Sequence, residues 1–315
     1  MKKKLICVIL IFLLVACPLL GFYLHRENNC LELSSYNYYS RALPSDFDML
    51  RILQISDLHN KSFGKNQEKL HKLIREAEPD IVLLTGDLFD GNRFSKNKAK
   101  SIEKQPAAVL LSYLSQNYET YYIGGNHDSK VSRLYFDVTA YVEGLGIKVL
   151  HNEAVELKRG KEAINLIGIF DQGYYVLERF PEYIKMKDGS KEKKAKWKEI
   201  SALLPDLILS DLKKLTRTDL FNLLMTHRPE LSSLFADCDI DLMFAGHAHG
   251  GQIRLLGKYP LYTPEQGFFP QLTEGVVNVG GLDVIISRGL GNSRFPFRIE
   301  NPPELVLTIL HSVDS

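Results

Sequence analysis

Short apolar runs alternate with longer amphipathic stretches along most of this chain. From residue 50 onward, five apolar runs of four to seven residues have the length of buried strands. They are Leu50–Ser56, Asp80–Thr85, Thr120–Ile123, Phe221–Thr226 and Asp241–Ala245. Each run leads directly into residues that can bind a metal ion. Because open α/β sheets bind ligands at the carboxyl ends of their strands, we expect these residues to converge.

Two stretches between these runs have the spacing of amphipathic helices. Gln67–Ala77 carries apolar residues three and four apart, and Pro106–Leu114 repeats the pattern. Such β-α-β alternation predicts a parallel or mixed sheet covered by helices. The middle of the chain instead predicts consecutive strands, and hence a second or a mixed sheet, at Ile147–Leu150, Ala154–Leu157 and Ala163–Phe170. Two closing strands are predicted at Val284–Ser287 and Leu305–Leu310.

The chain begins with a basic cluster followed by an apolar segment. Lys2, Lys3 and Lys4 precede the uncharged run Leu5–Leu24, which is long enough to cross a bilayer as a helix. Lysines before a span favour a cytoplasmic N-terminus. We therefore predict a membrane anchor over residues 1–24, single-pass and N-in at the cell membrane, with the rest of the chain extracytoplasmic.

Two alternatives to an uncleaved anchor are open. A signal peptide would be removed, although its apolar core is usually shorter than this one. Leu14-Val15-Ala16-Cys17 also has the pattern of a bacterial lipobox, in which Cys17 would be lipidated after cleavage. The anchored and the lipidated protein would both be tethered to a membrane and face outward.

Composition and charge then limit the function classes. The 315 residues are 45% hydrophobic and 24% charged, which is ordinary for a globular protein. The net charge of +1 gives no reason to expect nucleic acid as a partner. No CxxC pattern occurs among the four cysteines, which argues against a thiolate zinc site. The polar residues 25–49 are interpreted as a linker, and residues 50–312 as one catalytic domain.

Two further segments have an unusual composition. Residues 185–198 contain seven lysines around Trp197, and we favour a solvated helix or loop over a basic flap that grips an anionic substrate or lipid. The stretch Gly250–Gly275 is rich in glycine and aromatic residues. A loop of this length beside candidate ligands favours a functional role. For its aromatic residues Tyr262, Phe268 and Phe269, packing within the loop is preferred over a lipid-binding wall.

The residues at the strand ends are carboxylates, imidazoles and one amide. These candidate ligands are Asp57, His59, Asp87, Asn126, His227, His247 and His249. Seven ligands exceed the needs of one ion and suit two. Their chemistry fits borderline divalent ions such as Mn, Fe, Zn, Co or Ni and does not distinguish manganese from the others. Two ions about 3.5–4 Å apart would activate a bridging water and bind the oxygens of a phosphoryl group.

A general acid would complete such a centre. His127 directly follows the candidate ligand Asn126 and could protonate a leaving oxygen. Asp90 or Asp128 could orient a histidine by accepting a hydrogen bond from its other ring nitrogen.

Read in order, these residues resemble the five motifs of calcineurin-like metallophosphoesterases. The resemblance extends over about residues 50–311, and its motifs are specific together although each is weak alone. The matching segments are Ser56-Asp57-Leu58-His59, Gly86-Asp87-Leu88-Phe89-Asp90, Gly125-Asn126-His127-Asp128, Thr226-His227-Arg228 and Gly246-His247-Ala248-His249.

The resemblance implies a fold and a role for each matching position. The family fold is α/β, a four-layer α/β/β/α sandwich of two mixed sheets, preceded here by the N-terminal transmembrane helix. Asp87 corresponds to the residue that bridges the two metals, and His127 to the proton donor. The first metal would be held by Asp57, His59 and His249, and the second by Asn126, His227 and His247.

Further features resemble the membrane-associated bacterial branch of the family. These are His249-Gly250-Gly251-Gln252-Ile253-Arg254 and Ser287-Arg288-Gly289-Leu290-Gly291. Some members of that branch cleave the pyrophosphate of lipid-A precursors. Asp171 follows Phe170 where that branch leads us to expect a more acidic pair, which leaves its role open.

The resemblance implies a binuclear phosphohydrolase that cleaves phosphodiester or pyrophosphate bonds with a metal-bridging hydroxide. The predicted anchor and the aromatic loop after His249 favour a lipid-linked or envelope substrate. The alternative is a scaffold or binding protein at the membrane that kept the fold and lost catalysis. Arg254 and Arg288 could bind phosphate oxygens, or could equally form ion pairs within the protein.

Overall fold

The computed structural model describes residues 2–91, 102–134, 136–263, 265–292 and 295–313. All ten predicted runs are strands, with ends that differ from the prediction by at most two residues. In chain order the strands are β1 (Glu32–Ser40), β2 (Leu50–Ile55), β3 (Ile81–Leu84), β4 (Glu119–Tyr122), β5 (Lys148–Val149), β6 (Glu153–Arg159), β7 (Glu162–Ile169), β8 (Phe221–Thr226), β9 (Leu242–Ala245), β10 (Arg254–Leu255), β11 (Tyr259–Pro260), β12 (Tyr262–Thr263), β13 (Gly267–Phe268), β14 (Gly275–Val279), β15 (Leu282–Ile286) and β16 (Glu304–Ser312).

The helices connect these strands or flank them. They are α1 (Lys2–Asn29), α2 (Glu68–Ala77), α3 (Pro106–Asn117), α4 (Asn126–Leu134), α5 (Val138–Gly144), α6 (Gln172–Arg179), α7 (Pro181–Lys185), α8 (Lys191–Leu215) and α9 (Ser232–Phe235). The two predicted amphipathic helices correspond to α2 and α3.

The strands form two mixed sheets. The first has the order β1-β16-β2-β3-β4-β5, in which only β16 and β2 pair antiparallel. The second has the order β14-β15-β9-β8-β7-β6, with antiparallel pairs at its two edges. Because β2, β3 and β4 run parallel in the first sheet, and β7, β8, β9 and β15 run parallel in the second, several carboxyl ends lie side by side at one edge of each sheet.

Side-chain alternation in the second sheet separates the two halves of the core. Leu223 and Met225 of β8 belong to the cluster shared with the first sheet, whereas Leu224 packs with helix α8. In α8 the buried residues recur every fourth position, at Ile200, Leu204, Ile208 and Leu212. Helices α2 and α3 contribute buried residues to the first cluster. The expected four-layer α/β/β/α arrangement is therefore confirmed.

The interpretation of residues 25–49 as a linker is wrong. Helix α1 continues to Asn29, and β1 pairs with β16 along its whole length, from Glu32 opposite Glu304 to Ser40 opposite Ser312. Polar residues are tolerated in β1 because it is an edge strand, and the strand is held by its pairing with β16 and by Leu33, Tyr36 and Tyr38, which pack against the core. The folded domain therefore includes Glu32–Ser40 and does not begin at residue 50.

Helix α1 contains the predicted anchor. Its segment Lys4–Asn29 includes an 18-residue stretch with a mean hydropathy of 3.1 and, by length and composition, could cross a membrane. Its large apolar side chains are exposed, among them Phe12 and Leu14.

Much of the two segments of unusual composition is regular structure, namely the start of helix α8 and two hairpins. Most lysines of residues 185–198 are exposed, but Lys193 is buried and its ammonium group lies 2.7 Å from the Asp188 carboxylate. The stretch after His249 forms two small hairpins, β10–β11 and β12–β13. Phe268 contacts Tyr262, with ring centroids 5.4 Å apart, yet Phe268 is 76% exposed and Phe269 is 62% exposed. Packing within the loop therefore does not bury these two phenylalanines.

Candidate metal centre

The candidate ligands follow strands of both sheets. Asp57 and His59 come after β2, Asp87 after β3 and Asn126 after β4 in the first sheet. The second sheet supplies the remaining three from the ends of β8 and β9, namely His227, His247 and His249. The expected convergence at strand ends is therefore observed between two sheets rather than along one.

The backbone at the strand ends turns sharply. Five of the seven candidate ligands have a positive φ, a conformation that non-glycine residues rarely adopt. These residues and angles are Asp57 (53°), His59 (49°), Asp87 (55°), His247 (65°) and His249 (49°). Gly86 is needed in the same turn, because a Cβ there would lie 2.7 Å from the Gly125 backbone. Strain concentrated at these residues is typical of a functional site.

The first group of ligands is Asp57, His59 and His249. Their candidate ligand atoms all lie within 4.8 Å of one another. Nε2 of His59 is 3.2 Å from Nε2 of His249, and Asp57 Oδ1 is 3.4 Å from the latter nitrogen. All three residues are buried.

The second group is Asp87, Asn126, His227 and His247. His227 Nε2 is central, at 3.2 Å from Asn126 Oδ1 and 3.2 Å from His247 Nδ1. The other ring nitrogen of His227, Nδ1, is 2.7 Å from the carbonyl oxygen of Thr85. A proton on Nδ1 would leave Nε2 free to bind an ion.

One carboxylate oxygen faces both groups. Oδ2 of Asp87 lies 3.7 Å from His59 Nε2 and 3.3 Å from His227 Nε2. The other oxygen, Oδ1, accepts a hydrogen bond of 2.6 Å from the backbone amide of His127. Asp87 is therefore fixed with one oxygen between the two candidate ion positions.

The two aspartates fit a cation site. Asp57 Oδ1 is buried and accepts no hydrogen bond from the residues that the structure describes. Burial by itself would raise the pKa of both carboxyls, but facing histidines outweigh it and lower both pKa values, chiefly His249 for Asp57 and His227 for Asp87. Ionised carboxylates and an unsatisfied buried oxygen suit divalent ions as ligands.

Comparison with known proteins agrees with this geometry. The family model described as calcineurin-like phosphoesterase matches residues 50–251, more than half of the chain. The chain belongs to this family. The matched range contains all seven candidate ligands and His127.

Relatives of this phosphoesterase are bacterial and animal. An uncharacterized metallophosphoesterase of Bacillus subtilis (strain 168), YkuE, is 27% identical over 296 residues, which are 93% of this chain and 90% of the relative. A zebrafish (Danio rerio) transmembrane protein with a metallophosphoesterase domain is 28% identical over 221 residues, 67% of this chain and 43% of that protein. Among solved structures, a dimetal phosphatase from Danio rerio aligns with a TM-score of 0.45 and 11% identity, over 77% of this chain and 88% of the other.

His127 lies beside the two groups of candidate metal ligands. Its ring packs edge-on against His59, with centroids 4.6 Å apart, and its Nδ1 is 3.1 Å from Asp90 Oδ1. Burial tends to lower the pKa of His127, but Asp87 and the hydrogen bond to Asp90 raise it above its usual value. Asp90 is thus the orienting carboxylate. Asp128 instead accepts hydrogen bonds from the backbone amides of Phe89 and Gly125.

Sequence reasoning missed an ionic cluster that surrounds His247. Arg228 is buried, and its guanidinium group contacts Asp171 and lies 3.0 Å from Glu265. Glu265 Oε2 is in turn 2.8 Å from His247 Nε2, which leaves His247 Nδ1 for the second group. Asp171 and Arg228 follow strands β7 and β8, so the strand-end rule could have found them. Glu265 lies in the loop after His249, where no periodicity singles it out.

The two arginines proposed for phosphate binding have other partners. Arg288 Nη2 lies 2.8 Å from Glu304 and 2.9 Å from Glu32, and Arg254 forms an ion pair with Glu274. Both guanidinium groups are therefore neutralised by carboxylates of the protein. The internal ion pairs given as the alternative are thus present, and phosphate binding by either arginine stays a prediction.

Replacing the shared carboxylate should affect both ion positions. We expect Asp87→Asn to lower the bound metal at both positions, because the amide lacks the charge that attracts two cations. Asp57→Asn should reduce mainly the first. Metal equivalents per chain, measured by elemental analysis after dialysis with thermal unfolding as a folding control, test this. Two full equivalents in folded Asp87→Asn would refute the shared position.

Proposed function

We propose that this phosphoesterase is a binuclear metal-dependent phosphohydrolase that cleaves phosphodiester or pyrophosphate bonds. The single observation that supports it most is the position of Asp87 Oδ2 between His59 Nε2 and His227 Nε2, at 3.7 and 3.3 Å. The ligand chemistry suits Mn, Fe, Zn, Co or Ni. When bound, two such ions supply an activated water and neutralise charge on the phosphoryl oxygens.

The remaining steps belong to residues of the chain. His127 supplies the proton to the leaving oxygen from Nε2, since its Nδ1 is held by Asp90 at 3.1 Å. Glu265 orients His247 through its Nε2 atom and thereby positions Nδ1. Although burial tends to lower the pKa of His127, Asp87 and the hydrogen bond to Asp90 raise it, which favours the protonated form that a general acid requires.

The proposed location is the outer face of the cell membrane. The exposed apolar helix α1 supports an anchor, and Lys2–Lys4 before it support a cytoplasmic N-terminus. A relative described as a transmembrane protein is consistent with it. Lipidation at Cys17 remains the alternative tether. A catalytic domain held there favours a lipid-linked or envelope substrate over a soluble metabolite.

Activity on defined substrates tests the function. Purified full-length protein, reconstituted with each candidate metal, should hydrolyse at least one member of a panel of nucleotides, phospholipids and lipid-linked nucleotide sugars. We expect the lipid-linked class to give the highest kcat/KM. If every substrate is left intact by protein with two bound ions, a scaffold without catalysis is the better account.

The proton-donor role of His127 has a separate test. His127→Ala should keep both metals and lose activity by about 10²–10⁴-fold on esters with alkoxide leaving groups, but much less on nitrophenyl esters. A leaving group that needs no proton does not depend on the acid. His311→Ala, at the opposite end of β16 from Glu304, is the control and should change neither rate. An equal loss on both classes of ester would contradict the role.

A further inference from the structure

Several large apolar side chains are exposed on three loops of the catalytic domain. Leu256 is 85% exposed and Phe268 is 76% exposed. Single exposed apolar side chains are ordinary, whereas a group of them on one surface marks a site that contacts a partner or a membrane. We call the set the apolar rim, and it consists of Leu255, Leu256, Phe268, Phe269, Phe295 and Phe297.

Backbone contacts join the three loops into one surface. The amide of Phe269 donates a hydrogen bond of 3.0 Å to the carbonyl of Leu261. The amide of Leu261 donates one of 2.9 Å to the carbonyl of Ile253. Ile253 forms a parallel bridge with Ile299. The hairpin with Phe268 therefore adjoins the loop with Leu256, which in turn adjoins the segment after Phe295.

The end of helix α1 is fixed to the same surface. Tyr23 Oη accepts a hydrogen bond of 3.3 Å from the backbone amide of Glu300. Glu27 Oε2 accepts one of 3.2 Å from the backbone amide of Asn301. Glu300 Oε2 also accepts from the amide of Gly257, the residue after Leu256. The helix thus meets the domain at the rim loops, without a flexible connection between them.

These contacts set the depth of the rim. The apolar segment ends at Leu24, and a helix rises about 1.5 Å per residue, so Glu27 lies only ~5 Å beyond that end. If α1 crosses a bilayer, the loops bound to Tyr23 and Glu27 lie at the headgroups. Aromatic and aliphatic side chains at that level favour insertion, and the exposed Lys258 would face anionic lipid.

We propose that the apolar rim inserts into the outer leaflet of the bilayer that α1 crosses. The proposal rests on the anchoring stated under Proposed function. It gives the domain a second membrane contact and a fixed orientation. A single helix on a linker would allow the domain to turn freely, whereas a helix plus a rim does not.

The inserted rim places the metal centre close to lipid headgroups. Asn301 connects the two, because its amide donates to Glu27 while its side-chain Nδ2 donates to the carbonyl of His249 at 2.7 Å. Lys61, two residues after the candidate ligand His59, donates to the carbonyl of Asn28 at the end of α1. The candidate ligands are thus joined to the end of α1 through Asn301 and Lys61. With the rim inserted, they lie near the level of the headgroups, where the phosphate of a lipid is found.

Single tryptophans in full-length protein can test this insertion. In a Trp197→Phe background, Leu256→Trp and Phe268→Trp report on the rim, and Phe12→Trp reports on the anchor. Tyr39→Trp is the matched control, since Tyr39 is 64% exposed but lies seven residues along β1 from Glu32, a rise of about 23 Å. The protein is reconstituted into vesicles of phosphatidylcholine and phosphatidylglycerol, with or without bromine on the acyl chains near the headgroup.

We expect brominated lipid to quench the rim and anchor reporters and to leave Tyr39→Trp unquenched. Quenching of Phe12→Trp without quenching of either rim reporter would overturn the insertion while leaving the anchor in place. Quenching of none of the reporters would overturn both the anchor and the rim. A blue shift of Leu256→Trp that depends on protein density and not on bromine would assign the rim to a second copy of the chain, and would equally overturn insertion into lipid.

Discussion

The burial of two ionised aspartates between histidines is the constraint on which the rest of this structure depends. A buried carboxylate is costly unless opposite charge compensates it. Asp57 and Asp87 are almost fully buried, and the histidines that face them come from strand ends of both sheets. The two sheets must therefore pack with their carboxyl ends together. Five of the candidate ligands have a positive φ, so the backbone adopts a strained conformation where it brings these side chains together.

The edge strand β1 is connected to the buried aspartates through a chain of contacts. Glu32 at its start and Glu304 at the start of β16 both hold Arg288, and the amide of Glu304 donates to the carbonyl of Gly289. Gly289 and Gly291 in turn lie against Asp57, with no space for a Cβ. The segment between the apolar helix and β2 thus connects the helix to the candidate metal centre, and it also adds Leu43 and Phe47 to the core.

Much of this arrangement could be predicted because local patterns determine it. Apolar runs that end in ligand residues predicted the strands and the convergence of their ends, and apolar residues three and four apart predicted α2 and α3. The resemblance then supplied the pairing of ligands. The edge strand β1 was missed since its stability comes from pairing with β16, some 270 residues away. Glu265 and the partners of Arg254 and Arg288 were missed for the same reason, as each contact depends on long-range packing.

The central claim is that Asp87 stands between two metal ions. A crystal structure of the protein with Mn²⁺, with anomalous data collected at the manganese edge, tests it most directly. The account predicts two anomalous peaks about 3.5–4 Å apart, one beside Asp57, His59 and His249 and the other beside Asn126, His227 and His247, with Asp87 Oδ2 in contact with both. A single peak, or two peaks of which one does not contact Asp87, would contradict it.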